Sequence, residues 1–336
     1  MAPTEAARVA MSWRSLVDQG LELTVVGSFS RVGYAIRRWL YAWSTQAPGA
    51  LDGRTVLVTG PTSGLGRAAT DELAALGARV ILVGRSEERL AAVRDALVSR
   101  HGADRFPTVV ADMGSLRSIA EAVATIRARE PRLDVVVDNA GAIFPTRTVG
   151  PDGIEAMFAT LVVGPFALVS GLLPILRRSE GARVIAVTSG GMYGQRLDLD
   201  DLQSRAEPYS GTRAYARAKR AQVALVREWA RRLGPAGITF NAMHPGWADT
   251  PGLAESLPGF HRLLGPILRT PSEGVDTLVW LAAASEAAAL SGGLFLDRRP
   301  LPFDRVPLTR LRAVDRRRLW DLVVDLSRAT DPPPDV

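Results

Sequence analysis

Short runs of valine, isoleucine and leucine recur along this chain with helix-length segments between them, and that alternation constrains the fold most tightly. Such runs read as strands buried on both faces, because a strand with one wet face alternates apolar and polar residues. Strands are predicted at 55–59 (TVLVT), 79–83 (RVILV), 107–111 (PTVVA), 134–138 (DVVVD), 183–188 (RVIAVT), 238–243 (ITFNAM) and 293–296 (GLFL). Helices are predicted near 65–76, 87–100, 115–129, 153–177, 213–233 and 273–284. Parallel strands need crossover connections, so this order implies one α/β domain, a doubly wound seven-stranded parallel sheet covered by helices.

That domain takes residues 51–300, leaving an N-terminal helical extension (1–50) and an arginine-rich helical arm with a disordered tail, DPPPDV, at 301–336. In the extension Val25, Phe29, Val32, Ile36, Trp39 and Trp43 recur at helical spacing beside Arg31, Arg37 and Arg38. This predicts an amphipathic helix, packed on the domain or a second subunit, or alternatively resting on a membrane surface through residues 15–43. The start lacks a continuous apolar run of the kind a secretory signal needs, and the chain reads as cytoplasmic, with membrane association as the alternative. Residues 156–176 are uncharged and long enough to cross a bilayer, yet they sit between two strands of one sheet and contain Pro165 and Pro174. They are read as a buried helix.

Composition removes several chemistries. There is no cysteine, so disulfides, thiol nucleophiles and thiolate metal sites are excluded. Only His101, His244 and His261 are present, too scattered to suggest a metal. The formal charge is +6, and residues 298–318, with eight arginines against Asp304 and Asp315, account for it. That segment is expected to be a solvated arm, with a polyanion contact as the alternative; over the main body no basic motif interleaved with aromatics points to nucleic acid. Of the 41 basic residues every one but Lys219 is arginine.

Directly after the first strand comes Thr59-Gly60-Pro61-Thr62-Ser63-Gly64-Leu65-Gly66, followed by a helical pattern. Glycines there let backbone N–H groups approach a pyrophosphate at a helix N-terminus, the dinucleotide site of a Rossmann-type fold. The second strand ends in Val83-Gly84-Arg85-Ser86, without the carboxylate that would bind a ribose 2′-hydroxyl. Arg85 suits a 2′-phosphate, so NADP(H) is expected over NAD(H).

Tyr215 and Lys219 stand four apart, on one helix face. A phenol can pass its proton to a carbonyl, or as phenolate take one from an alcohol, when a nearby cation stabilises the ionised form. A compact ammonium serves both a phenol and ribose hydroxyls, which arginine's planar fork does not. With TGPTSGLG (59–66), DNAG (138–141), Ser189, YARAK (215–219) and PGWADT (245–250), the chain over roughly 52–300 resembles the short-chain dehydrogenase/reductase family, classical type. TSGGM (188–192), DDLQS (200–204) and HPGWADTPG (244–252) are similar to the orphan group of dehydrogenase/reductase SDR family member 12. The resemblance implies Tyr215 as general acid/base, Lys219 lowering its pKa and holding the nicotinamide ribose, and Ser189 bonding the substrate oxygen. It further implies Gly60, Ser63, Leu65 and Gly66 at the pyrophosphate, Asp112 and Met113 at the adenine, Asn139, Ala140 and Gly141 at the central cofactor. Pro245, Gly246 and Thr250 would border the nicotinamide. A homodimer or homotetramer is in keeping with the family.

The resemblance has departures. Ser189 and Tyr215 are 26 residues apart, which predicts that 190–211 forms a surface loop beside the site. The family's paired asparagines become Asp138-Asn139, and the asparagine usual in the next helix, thought to hold a water linked to the lysine, falls on Leu161. Leucine cannot hydrogen-bond, so reduced activity is expected. The sequence therefore predicts an NADP(H)-dependent enzyme interconverting a carbonyl and an alcohol. Met192, Tyr193, Trp247, Leu253 and Leu257 hint at an apolar substrate, or at a lid packing on itself. The alternative is a catalytically impaired NADP(H)-binding scaffold or sensor.

Overall fold

Residues of β1 (Thr55–Thr59) and β4 (Val135–Asp138) are all buried, as strands at the middle of a sheet covered on both faces must be. The computed structural model describes residues 13–102, 105–206 and 208–329. Around these two strands lie β2 (Arg79–Gly84), β3 (Thr108–Val110), β5 (Arg183–Val187), β6 (Thr239–Met243), β7 (Leu294–Leu296) and β8 (Arg299–Pro300), in the order β3-β2-β1-β4-β5-β6-β7-β8. Seven strands run parallel, as predicted; the eighth is an added antiparallel edge paired with β7. It follows a two-residue turn in which Asp297 and Arg298 both take positive φ, 54° and 55°. Such turns usually announce themselves with Asn-Gly or Asp-Gly, a signal that Asp-Arg does not give.

The helices are α1 (Trp13–Glu22), α2 (Val25–Phe29), α3 (Arg31–Leu40), α4 (Gly64–Ala75), α5 (Glu87–His101), α6 (Leu116–Arg129), α7 (Ala156–Phe158), α8 (Gly164–Leu176), α9 (Gly211–Leu233), α10 (Pro251–Ser256), α11 (Pro258–Leu264), α12 (Pro271–Ala283) and α13 (Ala313–Ser327). Strand alternation divides the core. Val56 and Val58 of β1 pack toward α4, α5 and α12, while Leu57 packs toward α6, α8 and α9. The apolar stretch 156–176 is α7, one turn of π-type helix at Ala159–Val163, and α8; 72% of its most apolar window is buried inside the fold, which is where an all-round apolar helix belongs.

Three expectations are corrected. The described part of the extension, residues 13–50, is three short helices, and Ser30 takes an extended conformation between α2 and α3 that resets the helical phase. As a result Phe29, Tyr34, Arg37 and Leu40 face inward, whereas Val25, Val32 and Trp39 of the anticipated stripe are exposed. Arg37, 1% exposed, is anchored by Asp18 at 2.7 Å, Glu22 at 2.5 Å and Asp297 at 2.8 Å. The arginine-rich arm, second, is docked on the domain through α13 and four of its arginines, while Arg310, Arg312, Arg317 and Arg318 stay exposed. Trp320 of α13 is fully buried, 4.9 Å from Phe166 and 4.6 Å from Trp229 by ring centroids, and Arg298, Arg299, Arg305 and Arg316 pair with Asp276, Asp18, Glu22 and Glu228. The DPPPDV tail lies outside the described residues, as do residues 1–12. Third, the segment after Ser189 is no simple surface loop: it begins with a 3₁₀ turn at Gly190–Gly194 and buries Met192, Tyr193 and Leu197.

Candidate active site

The glycine turn between β1 and α4 is built by close packing. Thr59 Oγ1 accepts hydrogen bonds from the backbone N–H groups of Asn139 and Ala140 at 3.0 and 2.9 Å, tying the ends of β1 and β4 together. The Asn139 side-chain amide donates to Thr59 O at 3.0 Å and Gly60 O at 3.3 Å. Gly60 has φ 68°, and a Cβ on Gly66 would stand 2.0 Å from Gly60 O, so neither tolerates a side chain. Ser63 opens α4 without a side-chain cap bond, leaving the first N–H groups of that helix available at the cleft.

This turn forms one end of a cleft of about 1120 Å³ running along the carboxyl ends of the strands. The catalytic and cofactor candidates named from the sequence line it: Gly60, Ser63, Leu65, Gly66, Arg85, Asp112, Met113, Asn139, Ala140, Gly141, Ser189, Tyr215, Lys219, Pro245, Gly246 and Thr250. Arg85, Ser86 and Arg89 close the end beyond β2, and neither guanidinium pairs with a carboxylate among the described residues. The fold thus provides a cleft with a glycine turn packed too closely for side chains at Gly60 and Gly66 and with two guanidinium groups at one end.

Ser189, just past β5, and Tyr215 on α9 face the same cleft. Burial holds the Tyr215 phenol above the usual tyrosine value, while the Ser189 side chain acts in the opposite sense. The Lys219 ammonium lies 5.8 Å from the Tyr215 ring centroid, one helical turn on. It donates to Val187 O at 2.7 Å and Gln222 Oε1 at 3.1 Å. Burial lowers the lysine pKa to about 8, against the attraction of Asp138. Leu161 is fully buried, and its Cδ2 stands 3.2 Å from where a Cβ on Gly141 would lie.

The substrate side holds what sequence reading missed. Val25 and Phe29 of the extension line the cleft together with Trp247, Leu253, Leu257 and Phe260, whereas Met192 and Tyr193 are turned into the core. Phe29 stands edge-on to Trp247 at 6.1 Å, and Trp247 edge-on to Phe260 at 5.1 Å. Periodicity marked Phe29 as apolar, but nothing local says that it docks beside β6. Its position depends on Arg269, which donates to Phe29 O at 3.0 Å and to Asp297 Oδ1 at 2.6 Å.

Comparison with known proteins agrees with this architecture. The sequence profile of the family described as short chain dehydrogenase matches residues 54–259. Human dehydrogenase/reductase SDR family member 12 is 40% identical over 252 residues, covering 75% of this chain and 78% of that protein. Mouse retinol dehydrogenase 14 is 35% identical over 293 residues, covering 82% and 86%. A crystal structure of an uncharacterized protein from Mycobacterium paratuberculosis superposes with a TM-score of 0.68 at 26% identity, over 86% of this chain and all of that one.

Proposed function

This chain belongs to the short-chain dehydrogenase/reductase family and is an oxidoreductase, and from that premise we propose that it interconverts a carbonyl and an alcohol on a small apolar substrate, using NADP(H). The observation that carries the reading is the convergence of Ser189, Tyr215 and Lys219 in the same cleft as the glycine cradle. The dinucleotide, when bound, supplies or accepts the hydride. In the reducing direction Tyr215, kept protonated by its burial, donates its proton to the substrate oxygen, which Ser189 polarises by a hydrogen bond. The Lys219 ammonium stabilises the phenolate left behind and offers its remaining donor toward the cofactor ribose. Glycines 60 and 66 admit the pyrophosphate, Asp112 and Met113 border the adenine, Asn139 to Gly141 the middle of the cofactor, and Pro245, Gly246 and Thr250 the nicotinamide.

Arg85 and Arg89 support NADP(H) over NAD(H), since a 2′-phosphate satisfies both forks. The Michaelis constants for NADPH and NADH test this, with NADPH expected to be lower; a clear NADH preference overturns it. For the chemistry, NADPH consumption is followed with a panel of aldehydes and ketones. Tyr215→Phe is expected to lose about 10²–10⁴-fold in turnover, and cofactor binding without Tyr215-dependent turnover refutes the enzyme reading.

A membrane-surface contact is favoured by a separate observation. Trp13, Leu16, Leu23, Val26, Val32 and Trp39 are each at least half exposed on the extension, and Val25 carries this apolar surface to the mouth of the cleft. We propose that this face rests on lipid, with Arg14 and Arg38 beside it meeting anionic headgroups. Flotation with anionic vesicles is expected for the parent and lost in a Trp13→Ser, Leu23→Ser, Trp39→Ser variant.

A further inference from the structure

We infer that Asp138 is the buried counter-charge of Lys219, joined to it through the side-chain amide of Gln222, and that it sets the pH range in which Tyr215 and Lys219 work. The inference rests on the catalytic reading of Tyr215 and Lys219 given above. Gln222 stands three residues after Lys219 on α9 and accepts from the ammonium at 3.1 Å through Oε1. Its Nε2 donates to Asp138 Oδ2 at 2.5 Å. An amide has one accepting end and one donating end, so the bridge is polarised, oxygen to cation and nitrogen to carboxylate. Lys219, Gln222 and Asp138 are 3%, 5% and 4% exposed, so solvent screens the pair little.

The surroundings single out this carboxylate. Opposite Asp138 on β5 stands Ala186, and at the end of β1 stands Thr59; neither carries charge. From α9 come Gln222 and Lys219. Lys219 is the charged group acting on Asp138, and Asp138 the one acting on Lys219. Asp138 Oδ1 has no hydrogen-bond partner among the described residues, so the bridge to Gln222 is what the carboxylate is built around. An asparagine at 138 would accept the same amide bond but bring no charge. The aspartate therefore does something the neutral residue cannot: it favours the ammonium in a site whose burial disfavours it.

Asp138 does not touch the reacting atoms; it is a positioning residue acting through Lys219. Removing the negative charge beside Lys219 makes its ammonium easier to deprotonate, so Asp138→Asn moves loss of the lysine charge to lower pH. The pH dependence of turnover in carbonyl reduction is measured for the parent, Asp138→Asn and Gln222→Met, with Tyr215→Phe as the control. Asp138→Asn is expected to move the alkaline limb to lower pH by roughly one unit, and Gln222→Met to move it the same way by less. A merely structural role would lower the thermal midpoint and leave the limb in place. Superimposable profiles for the parent and both variants, with Tyr215→Phe inactive, overturn the inference and leave the proposed function standing. Full activity of Tyr215→Phe overturns both. Should Asp138→Asn not fold, the displaced limb of Gln222→Met decides.

Discussion

The ring of Phe29 lies 4.5 Å from that of His244 and inclined to it by 20°, joining the N-terminal extension to the end of β6 across the wall of the cleft. The backbone is fixed there as well, since Trp247 N–H donates to Phe29 O at 2.8 Å. The extension thus forms part of the wall of the cleft, although it lies outside the matched family region. Phe29→Ala removes an aromatic contact worth about 1 kcal/mol, so the KM for a bulky apolar ketone should rise roughly fivefold. The dissociation constant for NADPH, bound at the other end, should stay within about twofold. Steady-state kinetics and cofactor titration read the two separately, and an unchanged KM would remove Phe29 from the substrate wall.

Lys219→Arg tests why the chain's single lysine sits where it does. The ammonium is 3% exposed and fits between Val187 O and Gln222 Oε1, a geometry that a wider planar fork cannot reproduce. Turnover is expected to fall by about 10²-fold and NADPH affinity to weaken, with the far-ultraviolet circular dichroism of the parent retained. Near-normal kinetics would show that charge alone suffices at this position.

The sheet and the cleft were legible because they follow from local rules. Apolar runs locate strands wherever a strand is buried on both faces, and the end of each strand places the residues after it on one edge of the sheet. That is why Gly60, Arg85, Asn139, Ser189 and Pro245, far apart in sequence, are neighbours in the cleft. Features set by long-range packing were not legible. Charge counting made residues 298–318 look solvated, yet Trp320 beyond them pulls α13 onto Phe166 and Trp229, and the arginines follow it to carboxylates as distant as Asp18 and Glu22. The hairpin at Asp297-Arg298 carries no turn signature because its conformation is held by Arg37 and Arg269 gripping the Asp297 carboxylate.

His244 makes stability depend on pH. Burial is the main reason its pKa falls to about 3, with Arg269 and Arg305 acting in the same sense, and its Nδ1 accepts from Gly246 N–H at 2.6 Å. The unfolded chain takes up this proton near pH 6.5 and the folded protein does not, so stability from His244 is complete above pH 6.5 and lost as pH falls toward 3. Asp138, raised to about 6 chiefly by burial, works in the opposite direction, which is why a comparison of variants is needed. His244→Asn retains an acceptor for Gly246 and does not titrate. Between pH 7 and 5 the parent should lose about 2 kcal/mol more than the variant in urea unfolding; equal losses would mean that His244 is protonated in the native state.

Leu161 is the departure from the family pattern with the clearest expected catalytic consequence. It sits in the π-type turn at Ala159–Val163, fully buried beside Gly141, and carries no polar atom. Leu161→Asn introduces an amide where the family usually has one. General acid–base terms span about 10²–10⁴-fold, so even partial restoration of a proton route should raise turnover several-fold. The same substitution places an amide in an apolar environment and should lower stability by about 1–3 kcal/mol unless it finds partners. Turnover and the urea midpoint are therefore measured together. Faster turnover in a less stable protein is the expected result; a fall in stability with no gain in turnover would show that protons reach Tyr215 by a path independent of this position.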